Sequence, residues 1–240
     1  MIAALVAAVA AAALALSLGN WQLRRAQEKL ALQTSWDLAE QQQPQAVTVA
    51  DIDAIGEHLP RRVRMTGRFF YEHEVWLENR QMDGQAGFFL ITPLRLEDGA
   101  LVLVNRGFVR RDPRERTRLP PVARAPENVN VEGLAVAEPP RVLQLGENAP
   151  IDEGRPVIWQ NFDFDEFERA SGLRAARWVV QQAGGSADGL LRNWPRLSAG
   201  VDMHRGYALQ WFALAALIAA LTLFFGFRAL RRRPAIPETK

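Results

Sequence analysis

The sequence predicts a membrane α+β protein in which two transmembrane helices flank a soluble domain, mainly antiparallel β and barrel-like. Three observations predict it. Two uncharged apolar runs, Ile2–Leu23 and Gly206–Phe227, stand near the two ends of the 240 residues. Between them the hydrophobic period changes from helical to alternating, and turn signals cut the alternation into short strands. Only one clear helix interrupts those strands, which argues against the regular strand–helix alternation of a parallel sheet.

The first run holds 22 residues, about 33 Å of helix at about 1.5 Å per residue, which spans a bilayer core. A cleaved signal peptide is the rival reading, since Ala-rich stretches offer small-residue cleavage sites. No basic residue precedes the run, however, and it is longer than a usual signal core, so a retained anchor is expected. The second run is equally long and ends at Arg228 and Arg231-Arg232-Arg233. Such a cluster marks the cytoplasmic side by the positive-inside rule. Arg24, Arg25 and Lys29 argue locally against that orientation, but long domains cross largely regardless of charge. The expected organisation is a helix over 2–23, an outward-facing mainly-β domain over 24–205, a helix over 206–227 and a cytoplasmic tail over 228–240. Trp21, Tyr207 and Trp211 fall near the outer interface, where amphipathic rings settle.

Trp21–Gln43 reads as a polar continuation of the first helix, stopped by Pro44. Strands follow at Arg62–Tyr71, Val75–Glu78, Gly87–Leu96, Ala100–Arg110, Asn130–Ala137, Val157–Phe162 and Arg177–Gln182. Met82-Asp83-Gly84 and Glu97-Asp98-Gly99 read as turns, the second joining a hairpin. A helix is expected at Phe164–Ala170, with Asp163 as N-cap and Gly172 closing it. Ala183–Gly189 is small and polar, hence a loop.

Composition narrows the function classes. With no cysteine, a disulfide scaffold, a thiolate zinc or iron–sulfur site and a cysteine nucleophile are excluded. Twenty-nine basic against 27 acidic residues leave too little charge for a nucleic-acid binder. His58, His73 and His204 are too scattered for a metal site of short spacing. Glu72-His73-Glu74 reads as a solvated strand end, since neighbouring side chains on a strand point to opposite faces. The acidic pairs Asp152-Glu153 and Asp163…Asp165-Glu166 fit turn and helix-start contexts. No phosphate loop or serine elbow occurs, so nothing supports an enzyme. Arg106–Arg118 holds six arginines. It reads first as a solvated loop and second as a patch for anionic headgroups, a partner's acidic surface or a ligand's carboxylates. Within it, Arg106 is expected to be exposed on the Val104–Val109 strand.

The strongest chemical signal is His204-Arg205-Gly206-Tyr207-Ala208-Leu209-Gln210-Trp211-Phe212. On a helix, spacings of three and four put His204, Tyr207 and Trp211 on one face. A neutral imidazole at the membrane edge is either an interfacial anchor or an axial ligand for a haem iron, and the residues alone leave both open. Arg205, with Arg24 or Arg25, could pair with the propionates of such a group.

Several segments resemble the surfeit locus protein one family, assembly factors of cytochrome c oxidase. They are Gly19-Asn20-Trp21-Gln22 with Arg25 and Lys29 beyond, Gly67 in Thr66-Gly67-Arg68-Phe69, and Gly87…Thr92-Pro93-Leu94. Val104-Asn105-Arg106-Gly107-Phe108-Val109 and His204…Tyr207-Ala208…Gln210-Trp211-Phe212 complete the set. Each is weakly specific; their order between two spans carries the resemblance. Phe108 stands where the family usually has Trp, and Glu28 where relatives are often aromatic. The resemblance implies a two-span protein of the bacterial inner membrane with a periplasmic domain. It implies a non-enzymatic chaperone of the respiratory chain that holds haem a for insertion into cytochrome c oxidase subunit I. It assigns haem a to His204, beside which Tyr207 and Trp211 on the same helix face and the neighbouring Arg205 complete the candidate set; the haem a synthase is a candidate second partner beside membrane lipids. The alternative it leaves is a scaffold that steadies an assembly intermediate and binds no haem.

Overall fold

The structure, a computed structural model, describes residues 2–115, 118–125, 127–144, 146, 148–150, 156–185, 187–194 and 200–231. The chain divides into two compact units, Met1–Thr34 with Arg196–Lys240, and Ser35–Pro195. Four α-helices are described: α1 (Ile2–Gln41), α2 (Ile52–Glu57), α3 (Phe164–Ser171) and α4 (Val201–Arg231). The strands are β1 (Gln45–Ala46), β2 (Arg61–Phe69), β3 (Val75–Met82), β4 (Gln85–Leu96), β5 (Leu101–Arg110), β6 (Val129–Val136), β7 (Val157–Trp159) and β8 (Val179–Gln182).

The first unit contains α4 and all but the end of α1, both long and apolar enough to cross a membrane. Their less exposed positions form a seam. The central stripe runs through Ala8, Ala12, Ala15, Gly19, Gln22, Ala26 and Lys29 on α1 and Val201, His204, Ala208, Trp211, Ala215, Ile218 and Thr222 on α4, with Leu18 and Phe212 partly buried beside it. The alternating steps of four and three are a heptad repeat, which keeps one stripe of each helix on its neighbour. Small residues dominate the stripe because apolar lipid gives no hydrophobic drive for association, so close van der Waals approach must supply it. Gly19 has no room for a side chain: a Cβ there would lie 2.6 Å from Cε1 of Phe212. Leu5, Leu14, Leu217, Phe224 and Phe225 face outward and exposed, an apolar surface suited to lipid.

The second unit is built on one eight-stranded sheet whose pairing closes on itself through β2, β6, β8, β5, β4 and back to β2, with β3 and β7 extending beyond β4. The ring is thus barrel-like. It is mostly antiparallel, with parallel pairings only at β1–β2, β3–β7 and β5–β8 among the described residues. β2 alternates inward and outward, and Val63, Met65 and Phe69 pack inside with Leu94, Val102, Val104, Val131, Val180 and Trp178. β4 and β5 are buried on both faces, which explains their nearly continuous apolar runs. On the outer face Leu77, Phe89, Leu103, Phe108 and Trp159 lie beneath Phe162 and Phe167, the latter from α3.

Proline in a central strand normally breaks the ladder. Pro93 does not, because it stands where β4 changes partner: β4 pairs with β3 up to Ile91 and with β2 from Leu94. Its missing N–H falls in that gap, while its carbonyl accepts from Phe70 N at 2.8 Å. The Asp98-Gly99 hairpin forms, with Leu96 N donating to Ala100 O at 2.8 Å. Asp83 and Gly84, both with positive φ, make the β3–β4 turn. Asp163 caps α3 by accepting from Glu166 N at 2.8 Å, and left-handed Gly172 ends it.

Three expectations change. β3 runs on to Met82 through an irregularity between Leu77 and Arg80, rather than stopping at Glu78. Glu72-His73-Glu74 is not a solvated strand end: Tyr71–His73 is a 3-10 turn and Glu74 is buried. The short elements β1 and α2 were not expected; two and six residues are too short for a period to register. Asp152-Glu153, Arg116, Arg232 and Arg233 lie outside the described residues.

Candidate functional site

His204 occupies the first turn of α4, where its backbone N–H donates to Gly200 O at 3.1 Å. Its heptad position turns the ring towards α1. There Nδ1 lies 2.6 Å from Oε1 of Gln22. Two separate segments of sequence, Gly19–Gln22 and His204–Phe212, therefore meet at two points: glycine against the Phe212 ring, and amide against imidazole. With Gln22 Oε1 as acceptor, a neutral imidazole would carry its proton on Nδ1 and its lone pair on Nε2.

The other residues of the face separate. Trp211 is half-buried in the seam with His204, whereas Tyr207 is 46% exposed at its edge. Arg205 points outward, 3.8 Å from the exposed Asp202, a loose surface pair. Arg25 donates to Glu28 at 2.8 Å and lies 5.9 Å from the Trp21 ring, so Glu28 is an ion partner here. Arg24 is exposed. The imidazole and the indole are thus held by helix packing, and the guanidinium groups of Arg24 and Arg205 sit in the open.

The second unit holds a buried ionic cluster that sequence reading missed. Arg106 is not exposed; it is 2% accessible. It is the extra residue of a bulge, since β4–β5 pairing jumps from Leu90–Gly107 to Ile91–Asn105. That turns its side chain under the sheet, where it lies 3.3 Å from both Glu74 and Asp188 and donates to Ala123 O at 2.9 Å. The guanidinium carbon stands 5.2 Å from the Phe69 and Tyr71 ring centres. Thr92 donates to Glu74 at 2.8 Å, and Arg192 pairs with Asp188 at 2.6 Å while donating to Arg106 O at 2.7 Å. Two arginines and two carboxylates balance, so the buried charge is compensated. The cluster ties the 119–125 and 187–192 segments to β5. Beside it opens a cleft of about 680 Å³ lined by Tyr71, Glu74, Trp76, Val122 and Arg124 among others. Asp188 offered no signal in sequence, because a lone carboxylate in a small polar loop reads as solvated. Beyond β5, Arg114 and Arg118 are exposed, as a solvated loop requires, whereas Arg111 is half-buried.

Arg80 is a second buried arginine. It donates to the carbonyls of Pro140 and Gln160, each at 2.6 Å, and burial pushes its pKa down to about 10. The Phe108 departure is absorbed by the core: its ring is fully buried and meets Phe89 edge-on at 6.1 Å.

The sequence is similar to known proteins over most of its length. The model of the SURF1 family matches residues 9–216, which takes in both seam segments and the whole sheet. A SURF1-like protein of Rickettsia bellii is 24% identical, covering 93% of this chain and 92% of its own length. One from Monosiga brevicollis is 27% identical over 86% of this chain and 81% of its own. The cytochrome oxidase assembly protein SHY1 of Saccharomyces cerevisiae is 26% identical over 65% of this chain and 40% of its own length. The match over 9–216 carries the assignment, and the chain belongs to the SURF1 family.

Proposed function

We propose that this chain is an assembly factor for cytochrome c oxidase, without enzymatic chemistry of its own, that carries haem a on His204 for insertion into subunit I. Membership of the SURF1 family and the yeast relative named for cytochrome oxidase assembly support the assembly role. The observation that carries the haem reading is the half-buried His204 imidazole, held between two apolar helices two residues before an uncharged run begins. In this reading the protein sits in a bacterial inner membrane with its sheet unit in the periplasm, and the haem a synthase is a candidate second partner.

The residues fit such a cargo. A neutral imidazole with one nitrogen hydrogen-bonded and the other bearing a lone pair is the usual form of a histidine iron ligand. Trp211 gives an apolar flat surface two turns further along the same stripe, and Tyr207 flanks the edge of the seam. Arg205 and Arg24, both exposed, are available for carboxylates, each such contact contributing about 1.5–3 kcal/mol before solvent screening removes most of it.

The scaffold reading has one observation in its favour: His204 also serves as a helix-to-helix contact. Absorption of the protein purified from cells that make haem a separates the two. His204→Ala is expected to abolish the haem a spectrum while the protein still inserts, and Arg205→Ala to weaken retention only. A His204→Ala protein with its full spectrum would leave the scaffold reading standing.

A further inference from the structure

The hydrogen bond between Gln22 and His204 does chemical as well as packing work. An imidazole without a fixed partner samples both neutral tautomers, and which nitrogen carries the proton is set by the bond that the other side of the ring makes. Here that bond is short, 2.6 Å between Nδ1 and Oε1. It is also held from both sides. Gln22 and His204 are both seam positions, and one turn before Gln22 the backbone of Gly19 lies close against the Phe212 ring. One heptad beyond Gln22, the Lys29 ammonium approaches the backbone of Gly200, just before α4.

We infer that Gln22 is a positioning residue for His204: its Oε1 holds the proton on Nδ1, so that Nε2 is the nitrogen presented to a metal. An amide is suited to this. It does not titrate, so it selects the tautomer without adding a charge at the apolar edge. The inference deepens the haem reading and rests on it for its purpose, though not for its geometry.

The test reads the tautomer directly and needs no haem. Full-length protein labelled with 15N at histidine is placed in lipid nanodiscs, and the His204 signals are identified by their loss in His204→Ala. The wild type is expected to show the Nδ1–H form as dominant. Gln22→Leu should move the tautomer ratio towards Nε2–H by roughly tenfold, the loss of about one hydrogen bond. Gln22→Glu, which keeps an acceptor oxygen at the same reach, should retain the Nδ1–H form, a rescue that mere helix packing would not give. Dominant Nε2–H in the wild type, or a ratio unchanged in Gln22→Leu, would overturn the inference. Survival of the haem a spectrum in His204→Ala would remove the haem reading while leaving the tautomer result in place, so the two failures are distinguishable.

Discussion

Arg106 is the residue whose meaning the structure changes most. An arginine within a run of six in 13 positions reads as solvated, yet the bulge at Gly107 turns it inward against Glu74 and Asp188. Removing one member of a compensated buried cluster strands the others, at a cost of about 3–5 kcal/mol. Arg106→Ala is therefore expected to lower the unfolding midpoint of the sheet unit and the amount of protein in the membrane together. An unchanged melting curve would mean that the cluster is dispensable, and any loss of oxidase assembly would then have to come from docking. Asp188→Asn should be milder, since Arg192 and Arg106 keep an oxygen acceptor while losing the charge.

At the scale of elements, closure of the sheet depends on β2 meeting β4 over three residue pairs, Gly67–Leu96, Arg68–Arg95 and Phe69–Leu94. Gly67 has no room for a side chain: a Cβ there would lie 2.2 Å from the Arg95 carbonyl oxygen. Backbone cannot yield as a flexible side chain can, so the two strands must part or bend. Gly67→Ala is expected to cost about 1–3 kcal/mol, which lowers the midpoint by roughly 2–4 °C per kcal/mol in a domain of this size. Gly185→Ala, with nothing within 4 Å of its Cβ position, is the control and should melt like the wild type. Equal midpoints for all three proteins would show that the β2–β4 contact does not close the ring in solution.

For the whole molecule, the testable statement is topology. The uncharged run of α4 ends at Arg228 and Arg231, and both are exposed. Positive charge retained on the cytoplasmic side places a reporter fused after Lys240 in the cytoplasm. The sheet unit should then report from the opposite side. Leu143, 81% exposed, is the insertion point for that reporter. Two reporters on the same side would remove the two-span reading.

What the sequence determined by itself is the periodic part. Apolar runs of 22 residues, alternation along β2, the Asp98-Gly99 turn and the Asp163 and Gly172 ends of α3 are local signals, because each is set by residues within one or two turns of one another. So the seven longer strands and the long helices were legible. The tertiary structure alone decided the closure of the sheet, the burial of Arg106 and Glu74, and the partner of His204. Each depends on residues far apart in the chain: Gly67 with Leu96, Arg106 with Asp188, Gln22 with His204. The physical reason is the same in all three. Whether a polar or small side chain is solvated or buried depends on what packs against it, and that is fixed by register across strands and helices, which no local period records.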